Sequence, residues 1–308
     1  RIVHGGPDLR HPTLIDPSVE AVISAQSKFA PLHNPAALSG LHAARGIHPE
    51  AAMVGVFDTG FHSGRPVASY HYALPTKLAE DLALYRYGFH GIAHASLVES
   101  LADLLEYPSS QLDCITIQLG SGCSACAIQA GHSIETSMGF SPLEGLAMTT
   151  RAGDIDASVV LYLFRQGYSV DKIEKILQRE SGLLGMAGSS DVRVLLENEI
   201  QGDPLAKDAL AVFVHRIVSV VGAYWTLLGG HGALVFGGGI GARSPELRRR
   251  VCERLQDAWG VMLDPEANAR GNGRISTPQS RAVYAFETDE EFQIARATLE
   301  CLTTDTSN

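Results

Sequence analysis

Short apolar runs that end in polar residues or glycine alternate along the chain with longer segments whose apolar residues recur at helical spacing. Ala52–Thr59, AMVGVFDT, is a continuous apolar run of strand length, the kind found in strands buried on both faces and often parallel. Thr116–Ile128, TIQLGSGCSACAI, predicts two strands joined by a tight turn at Gly120, Ser121 and Gly122. Ala233–Phe236 predicts a strand running into GGGIG at 237–241, and Ser280–Phe286 a further strand. Arg1–Gly6 reads as a short strand ending in two glycines.

Helical spacing predicts helices over Ala36–Ala44, after a loop fixed by Pro31 and Pro35, and from Tyr87–His94 through Leu105. Further helices are expected at Ala157–Gln166, Ser169–Glu180, Asp191–Glu199, Pro204–Gly229 and Pro245–Ala258. Ser169 is an N-cap with Asp171 in the first turn, and Thr288-Asp-Glu-Glu caps a closing helix through Leu302. Gln129–His132 is expected as a turn, 135–145 as loop, and Ser181–Ser190 as a glycine-rich loop. Strands and helices alternate without a repeat, which is the pattern of an α/β protein. The long apolar helix Pro204–Gly229 requires heavy burial, in a core or at a subunit interface.

Composition narrows the functional classes. With 308 residues, 45% hydrophobic and 19% charged, the chain can hold two domains and a sizeable core. A formal net charge of −10 argues against a general nucleic-acid or anionic-membrane binder. No apolar run is expected to cross a bilayer, and no signal sequence is expected in Arg1–Gly6 and the residues after it. Five cysteines make no disulfide framework, so a reducing cytoplasm is the expectation. Cys123 and Cys126 form a C-x-x-C, but they lie among small residues of a strand with no second Cys/His pair at zinc spacing, and the favoured reading is buried strand cysteines.

The candidate chemistry lies at the strand ends. Glycine turns let main-chain N–H groups approach an anion without a Cβ in the way. Gly120-x-Gly122-x-x-Ala125 and Gly237-x-Gly239-x-x-Ala242 both match the loose dinucleotide pattern. The first is followed by strand where that fingerprint requires a helix. A hairpin phosphate loop plus a later glycine turn before a helix suits an actin-like ATPase cleft better. Asp58 ends its apolar run at the place where ligands bind in open α/β sheets, or is a turn residue. His90 and His94 share a helical face as metal ligands or as satisfied structural groups. Arg151, among small residues, either reaches a phosphate with its planar fork of donors or pairs with Asp154 or Asp156.

Ten stretches in order bring a family into view: RIVHGG at Arg1, APLHNPAAL at Ala30, VFDTGFH at Val56, RYGFHGIAH at Arg86, QLGSGCSACAI at Gln118, TSMGFSPLEGL at Thr136, TTRAGDID at Thr149, SGLLGMAGSSDVR at Ser181, FGGGIGARS at Phe236 and TDEE at Thr288. In these the chain resembles the acetate kinases from end to end. The resemblance implies a two-domain actin-like ATPase fold and phosphoryl transfer between ATP and acetate or another short-chain carboxylate, giving ADP and acetyl phosphate, with Mg²⁺. It implies that Arg1 and Arg151 hold the acyl phosphate, that His90 bonds the phosphoryl group in flight, that Asp58 is the catalytic carboxylate and that Glu290 is associated with Mg²⁺. Val3, Leu32, Phe89 and Pro142 would form the acyl pocket. Val3 favours acetate over propionate, since propionate-preferring relatives tend to carry a smaller residue there. Gln118, Gly120, Ser121, Gly122, Gly238, Gly239 and Gly241 would take the polyphosphate, with Asp191 and Arg193 near the nucleoside. A cytoplasmic homodimer through the second domain is also implied.

The same resemblance implies that residues 1–62 are the remainder of an N-terminal domain completed by the closing helix at 290–308. Residues 63–289 would be the nucleotide-binding and dimerisation domain. It also implies an opening segment ahead of Arg1, so that the first domain is incomplete in this chain. Gln118 and Ser121 depart from the family's usual His and Asn, giving QLGSG for HLGNG; Ala242 and Arg243 replace its usual Glu and Asn. Gln118 cannot carry charge, although an amide still donates. These departures support a second reading, a catalytically weakened nucleotide-binding protein with a structural or regulatory role. A dehydrogenase is a third.

Overall fold

The computed structural model describes residues 1–31 and 33–305, the last two by backbone alone. A six-stranded sheet carries the architecture: β3 (Cys114–Leu119), β4 (Cys123–Gln129), β5 (His132–Thr136), β6 (Ala233–Gly237), β7 (Gly273–Arg274) and β8 (Val283–Ala285), in the order β5-β4-β3-β6-β8-β7. β3, β6 and β8 run parallel to one another, and the other pairs are antiparallel.

Side-chain alternation, with its period of two, explains why these strands are apolar throughout. Ile115, Ile117 and Leu119 of β3, with Leu234 and Phe236 of β6, face a core shared with Phe213, Ile217 and Trp225 of the helix Pro204–Leu227. Cys114, Val235 and Tyr284 face the other way, onto Leu97, Val98 and Leu101 of the helix Gly91–Leu105. Helices therefore cover both faces. Pro204–Leu227 is long and apolar enough, by length and composition, to cross a bilayer, which corrects the expectation that no such segment exists. It starts at an Asp203 cap on the Leu205 N–H, and Phe213, Val221 and Trp225 are buried along it.

A smaller layer gathers the start of the chain. β1 (Thr13–Leu14) pairs antiparallel with β2 (Val54–Gly55). Ile2 bridges Phe57 in parallel, through Ile2 N–H to Val56 O at 2.8 Å and Asp58 N–H to Ile2 O at 2.9 Å. The expected strands at Arg1–Gly6 and Ala52–Thr59 are thus reduced to a bridge and a two-residue strand. The closing helix Glu290–Asp305 packs Ile294 and Ala297 against Val56 and Ile92, so the two chain ends meet here. Asp289, not Thr288, supplies its cap, accepting from Phe292 N–H.

Other elements differ from the sequence expectation for tertiary reasons. Ser181–Ser190 contains a helix, Gly182–Ala187, held by Leu183 N–H to Met148 O and Leu184 N–H to Thr149 O. The expected turn at Gln129–His132 reduces to Ala130 and Gly131, both at positive φ, because His132 already opens β5, which also takes Glu135 and Thr136 from the expected loop. The short helices Val67–Tyr70, Thr76–Leu82 and Pro265–Arg270 are additions to the sequence expectation, although Pro66, Pro75 and Pro265 mark their starts.

Candidate active site

Arg1, Asp58 and Glu290 form one cluster from three distant parts of the chain. Arg1 donates Nε and Nη2 to the same Asp58 oxygen, Oδ2, at 2.9 and 2.7 Å, and Nη1 to Glu290 Oε2 at 2.9 Å. Asp58 follows the Ile2–Phe57 bridge, which is how a residue from the smaller layer reaches the cleft. Its Oδ1 is buried without a hydrogen-bond partner among the described residues. Burial pushes the Asp58 carboxyl up to about 6 despite the Arg1 charge beside it, because removing water penalises the ion more than one exposed partner repays.

His90 enters from the other layer. It precedes the helix Gly91–Leu105 in the left-handed region at φ 59, and the Gly91 N–H donates to Asp58 O at 2.8 Å. That bond ties the start of the helix to the backbone of Asp58. His90 Nδ1 meets Ser124 Oγ at 2.9 Å inside β4. Burial, then the charges of Arg151 and Arg1, lower its pKa to about 4, so the ring is neutral at pH 7 and is influenced by both arginines. Arg151 donates Nη1 to Pro142 O at 3.0 Å. Neither Asp154 nor Asp156 pairs with it: Asp154 accepts from Gly145 N–H, and Asp156 caps the helix Ala157–Arg165. The turn glycine Gly122 lies against both groups, and a Cβ there would stand 3.1 Å from His90 Nε2 and 3.4 Å from Arg151 Nη1. Arg1, His90, Arg151 and the first glycine turn therefore surround one locus.

On one side of that locus is a cavity of about 310 Å³ walled by Val3, Phe29, Phe89, Phe140 and Pro142, with Arg151 at its edge. Leu32, the remaining expected wall residue, lies outside the described residues. Lys28 and His33 also line the cavity, and neither was singled out from sequence; the Arg151 and Arg1 charges reach His33 as well.

On the other side run two adjoining hollows. One, of about 490 Å³, is lined by Gly120, Ser121, Asp191, Arg193 and Gly239; the other, of about 380 Å³, by Gln118, Gly238, Gly239, Thr288 and Glu290. Gly239 and Arg243 belong to both. Asp191 caps the helix Val192–Ile200 and pairs with Arg193 at 2.6 Å on its exposed rim. The second glycine stretch opens a short helix, Gly238–Arg243, whose first residue has φ +74 beside Leu119 O. That approach suits glycine alone. Gly241 is buried beneath it and supports the turn without lining either hollow. Thr288, another residue the sequence reading missed, accepts from Gly238 N–H at 2.9 Å and donates to Gln118 Oε1 at 2.8 Å. Gln118 is thereby oriented with its amide N–H groups left for the hollow.

Among the described residues no three Asp, Glu, His or Cys side chains form a metal cage. Cys123 and Cys126 are buried and free, and His94 is bonded to Thr116 and Ser124 instead of a metal. Mg²⁺ bound with a nucleotide needs only one or two carboxylates beside phosphate and water. The unpartnered Asp58 Oδ1 and the half-buried Glu290 fit that need.

Two glycine turns flanking a nucleotide-sized trough, with arginines, an imidazole and carboxylates at its inner end, define a phosphotransferase of the actin-like ATPase fold. The chain belongs to the Acetokinase family, whose sequence profile matches residues 1–296. It is 44% identical over 307 residues to an acetate kinase from Leifsonia xyli subsp. xyli, covering 98% of this chain and 77% of that protein. A propionate kinase structure from Francisella tularensis superposes with a TM-score of 0.93 at 37% identity, covering 97% of this chain and 78% of the other. A Porphyromonas gingivalis acetate kinase structure gives 0.93 at 36%, covering 98% and 77%. The chain is accordingly an acetate kinase by family, an enzyme that passes a phosphoryl group to a carboxyl acceptor.

Proposed function

We propose that Arg1, Asp58, His90 and Arg151 carry reversible transfer of the ATP γ-phosphoryl group to acetate, giving acetyl phosphate and ADP. One observation carries this assignment: Gly122, in the first glycine turn, touches the space of both His90 and Arg151, with the acyl cavity on one side and the trough on the other.

Phosphoryl transfer asks a protein for alignment and for donors around equatorial oxygens, with little covalent chemistry. Arg151 supplies a charged fork at the junction, and its bond to Pro142 O sets its distance from the acyl wall. Neutral His90 supplies a hydrogen bond from Nε2. Asp58 holds Arg1 in place through two bonds to one oxygen. The apolar faces of Val3, Phe89 and Pro142 take the acyl methyl group and keep water from the phosphoryl group. The backbone N–H groups around Gly120–Gly122 and Gly238–Gly239 cradle the polyphosphate. Asp58 Oδ1 and Glu290 would hold Mg²⁺, which would supply positive charge to the phosphates.

Formation of acetyl phosphate from ATP, Mg²⁺ and acetate, trapped as the hydroxamate, tests the proposal. Nucleotide binding without product would instead favour the weakened, regulatory reading that Gln118 and Ala242 support.

A homodimer is part of the same proposal. Leu161, Tyr162 and Phe164 are 56%, 60% and 59% exposed on the helix Ala157–Arg165, an apolar surface suited to a second copy. Sedimentation velocity at micromolar concentration decides it. A cytoplasmic location is likewise proposed, on the strength of the free cysteines.

A further inference from the structure

Behind His90 lies a line of buried polar groups that the transfer chemistry does not itself use. His90 Nδ1 is 2.9 Å from Ser124 Oγ; the same oxygen is 2.8 Å from His94 Nε2; and His94 Nδ1 is 2.7 Å from Thr116 Oγ1. Ser124 and Thr116 lie on the neighbouring strands β4 and β3, and His94 on the helix packed over them. Ser124, Thr116 and His94 are all fully buried.

We propose that Thr116, His94 and Ser124 are positioning residues that hold His90 in the tautomer with its proton on Nε2, the nitrogen beside Gly122. The inference rests on the placement of His90 at the phosphoryl locus argued above.

The direction follows from counting hydrogens. A neutral imidazole has one donor and one acceptor, and a hydroxyl has one hydrogen to give. Burial keeps both rings neutral, with His90 lowered to about 4 and His94 well below its usual value. Among the described residues the Thr116 hydroxyl has His94 Nδ1 as its hydrogen-bond partner and no other. If Thr116 donates there, His94 carries its proton on Nε2 and gives it to Ser124 Oγ. Ser124 then gives its own hydrogen to His90 Nδ1, and the His90 proton must sit on Nε2. Every polar hydrogen is placed.

Reversing the line strands the Thr116 hydrogen in a fully buried site and turns a lone pair of His90 toward anionic oxygens. A buried unmade hydrogen bond of this kind biases the equilibrium by roughly tenfold or more. His62 does not compete, although its ring is 5.6 Å from that of His94. Its Nε2 must donate to Phe89 O at 3.0 Å, so its Nδ1 accepts from Ser133 Oγ at 2.8 Å.

The test is long-range ¹H–¹⁵N spectroscopy of the histidine-labelled protein, together with steady-state kinetics. In the wild type the His90 Nε2 should give a protonated signal and Nδ1 an unprotonated one. Thr116→Val removes the donor and keeps the shape. It should populate the opposite His90 tautomer and lower kcat about 10- to 100-fold, the usual cost of losing an orienting partner, while KM for acetate and ATP moves less than about threefold. Thr116→Ser should restore both the signal and kcat. A wild-type His90 protonated on Nδ1 would overturn the proposal. So would a Thr116→Val protein with unchanged tautomer and kcat. Should Thr116→Val fail to fold, the wild-type spectrum decides alone. An Nε2-protonated His90 in a protein that forms no acetyl phosphate would sink the assigned reaction while leaving the relay standing.

Discussion

Gly122 lies so close to His90 that a methyl group on it would stand 3.0 Å from Cε1 and 3.1 Å from Nε2 of the imidazole. The glycine in this turn therefore does more than free a peptide for phosphate. It leaves the space in which the histidine ring sits. Gly122→Ala should lower kcat about 100-fold, since an ångström of misplacement at a reacting group costs on that order, with circular dichroism and melting temperature nearly unchanged. Retention of wild-type kcat would mean that His90 is not held against this turn.

Asp58 predicts a pH dependence whose sign is opposite to that of an ordinary paired carboxylate. Its folded pKa, about 6, lies above the usual 3.8, so the folded state binds the proton more tightly. Stability contributed by the protonated group is complete below the unfolded value and is lost as pH rises to about 6, by roughly 3 kcal/mol. Urea unfolding from pH 4 to 7 should show Asp58→Asn gaining on the wild type across that window. Parallel curves would contradict the burial argument. In the wild type, kcat/KM should rise through the same pH range as Asp58 ionises.

Val3 borders the acyl cavity with Phe89 and Pro142. Removing two methyl groups there makes room for one more substrate carbon, and a methylene in an apolar pocket is worth about tenfold or more in discrimination. Val3→Ala should shift the propionate-to-acetate ratio of kcat/KM upward by about tenfold. A ratio left where it began would move the acyl site away from this cavity.

Arg248 is fully buried and donates Nη1 to Gly241 O at 2.7 Å and to Ala242 O at 2.6 Å, and Nε to Asn268 Oδ1 at 2.8 Å. It satisfies the last carbonyls of the glycine helix that floors the trough. Arg248→Met leaves those carbonyls and the Asn268 oxygens without their donor, although Asn268 Nδ2 keeps its bond to Pro245 O, and should cost about 3 kcal/mol, with weaker ATP binding in calorimetry and no direct effect on the acetate site. A loss confined to stability, with ATP affinity intact, would separate Arg248 from the nucleotide.

Much of this arrangement was legible along the chain because it is local. Apolar runs of strand length marked β3, β6 and β8, and glycine at 120, 122, 238 and 239 marked the turns, since a missing Cβ is visible in the sequence. Signals that depend on distant support are not local and differ from the structure. The apolar stretch at Ala52–Thr59 forms only a two-residue strand because its partner, Thr13–Leu14, is equally short. Ser181–Ser190 is partly helical through bonds to Met148 and Thr149.

The order of residues along the chain already specifies the buried strands, the glycine turns that end them and the set of residue types able to handle a phosphoryl group. Which of those residues meet is a matter of packing in three dimensions. Arg1 finds its partners 57 and 289 positions away, and no local periodicity encodes a contact of that range. Packing also decided between open alternatives: Arg151 bonds Pro142 and not Asp154, and His94 serves Ser124 and Thr116 and not a metal. Those choices were settled by burial, because a polar group removed from water takes whichever partner the packed layers bring within reach.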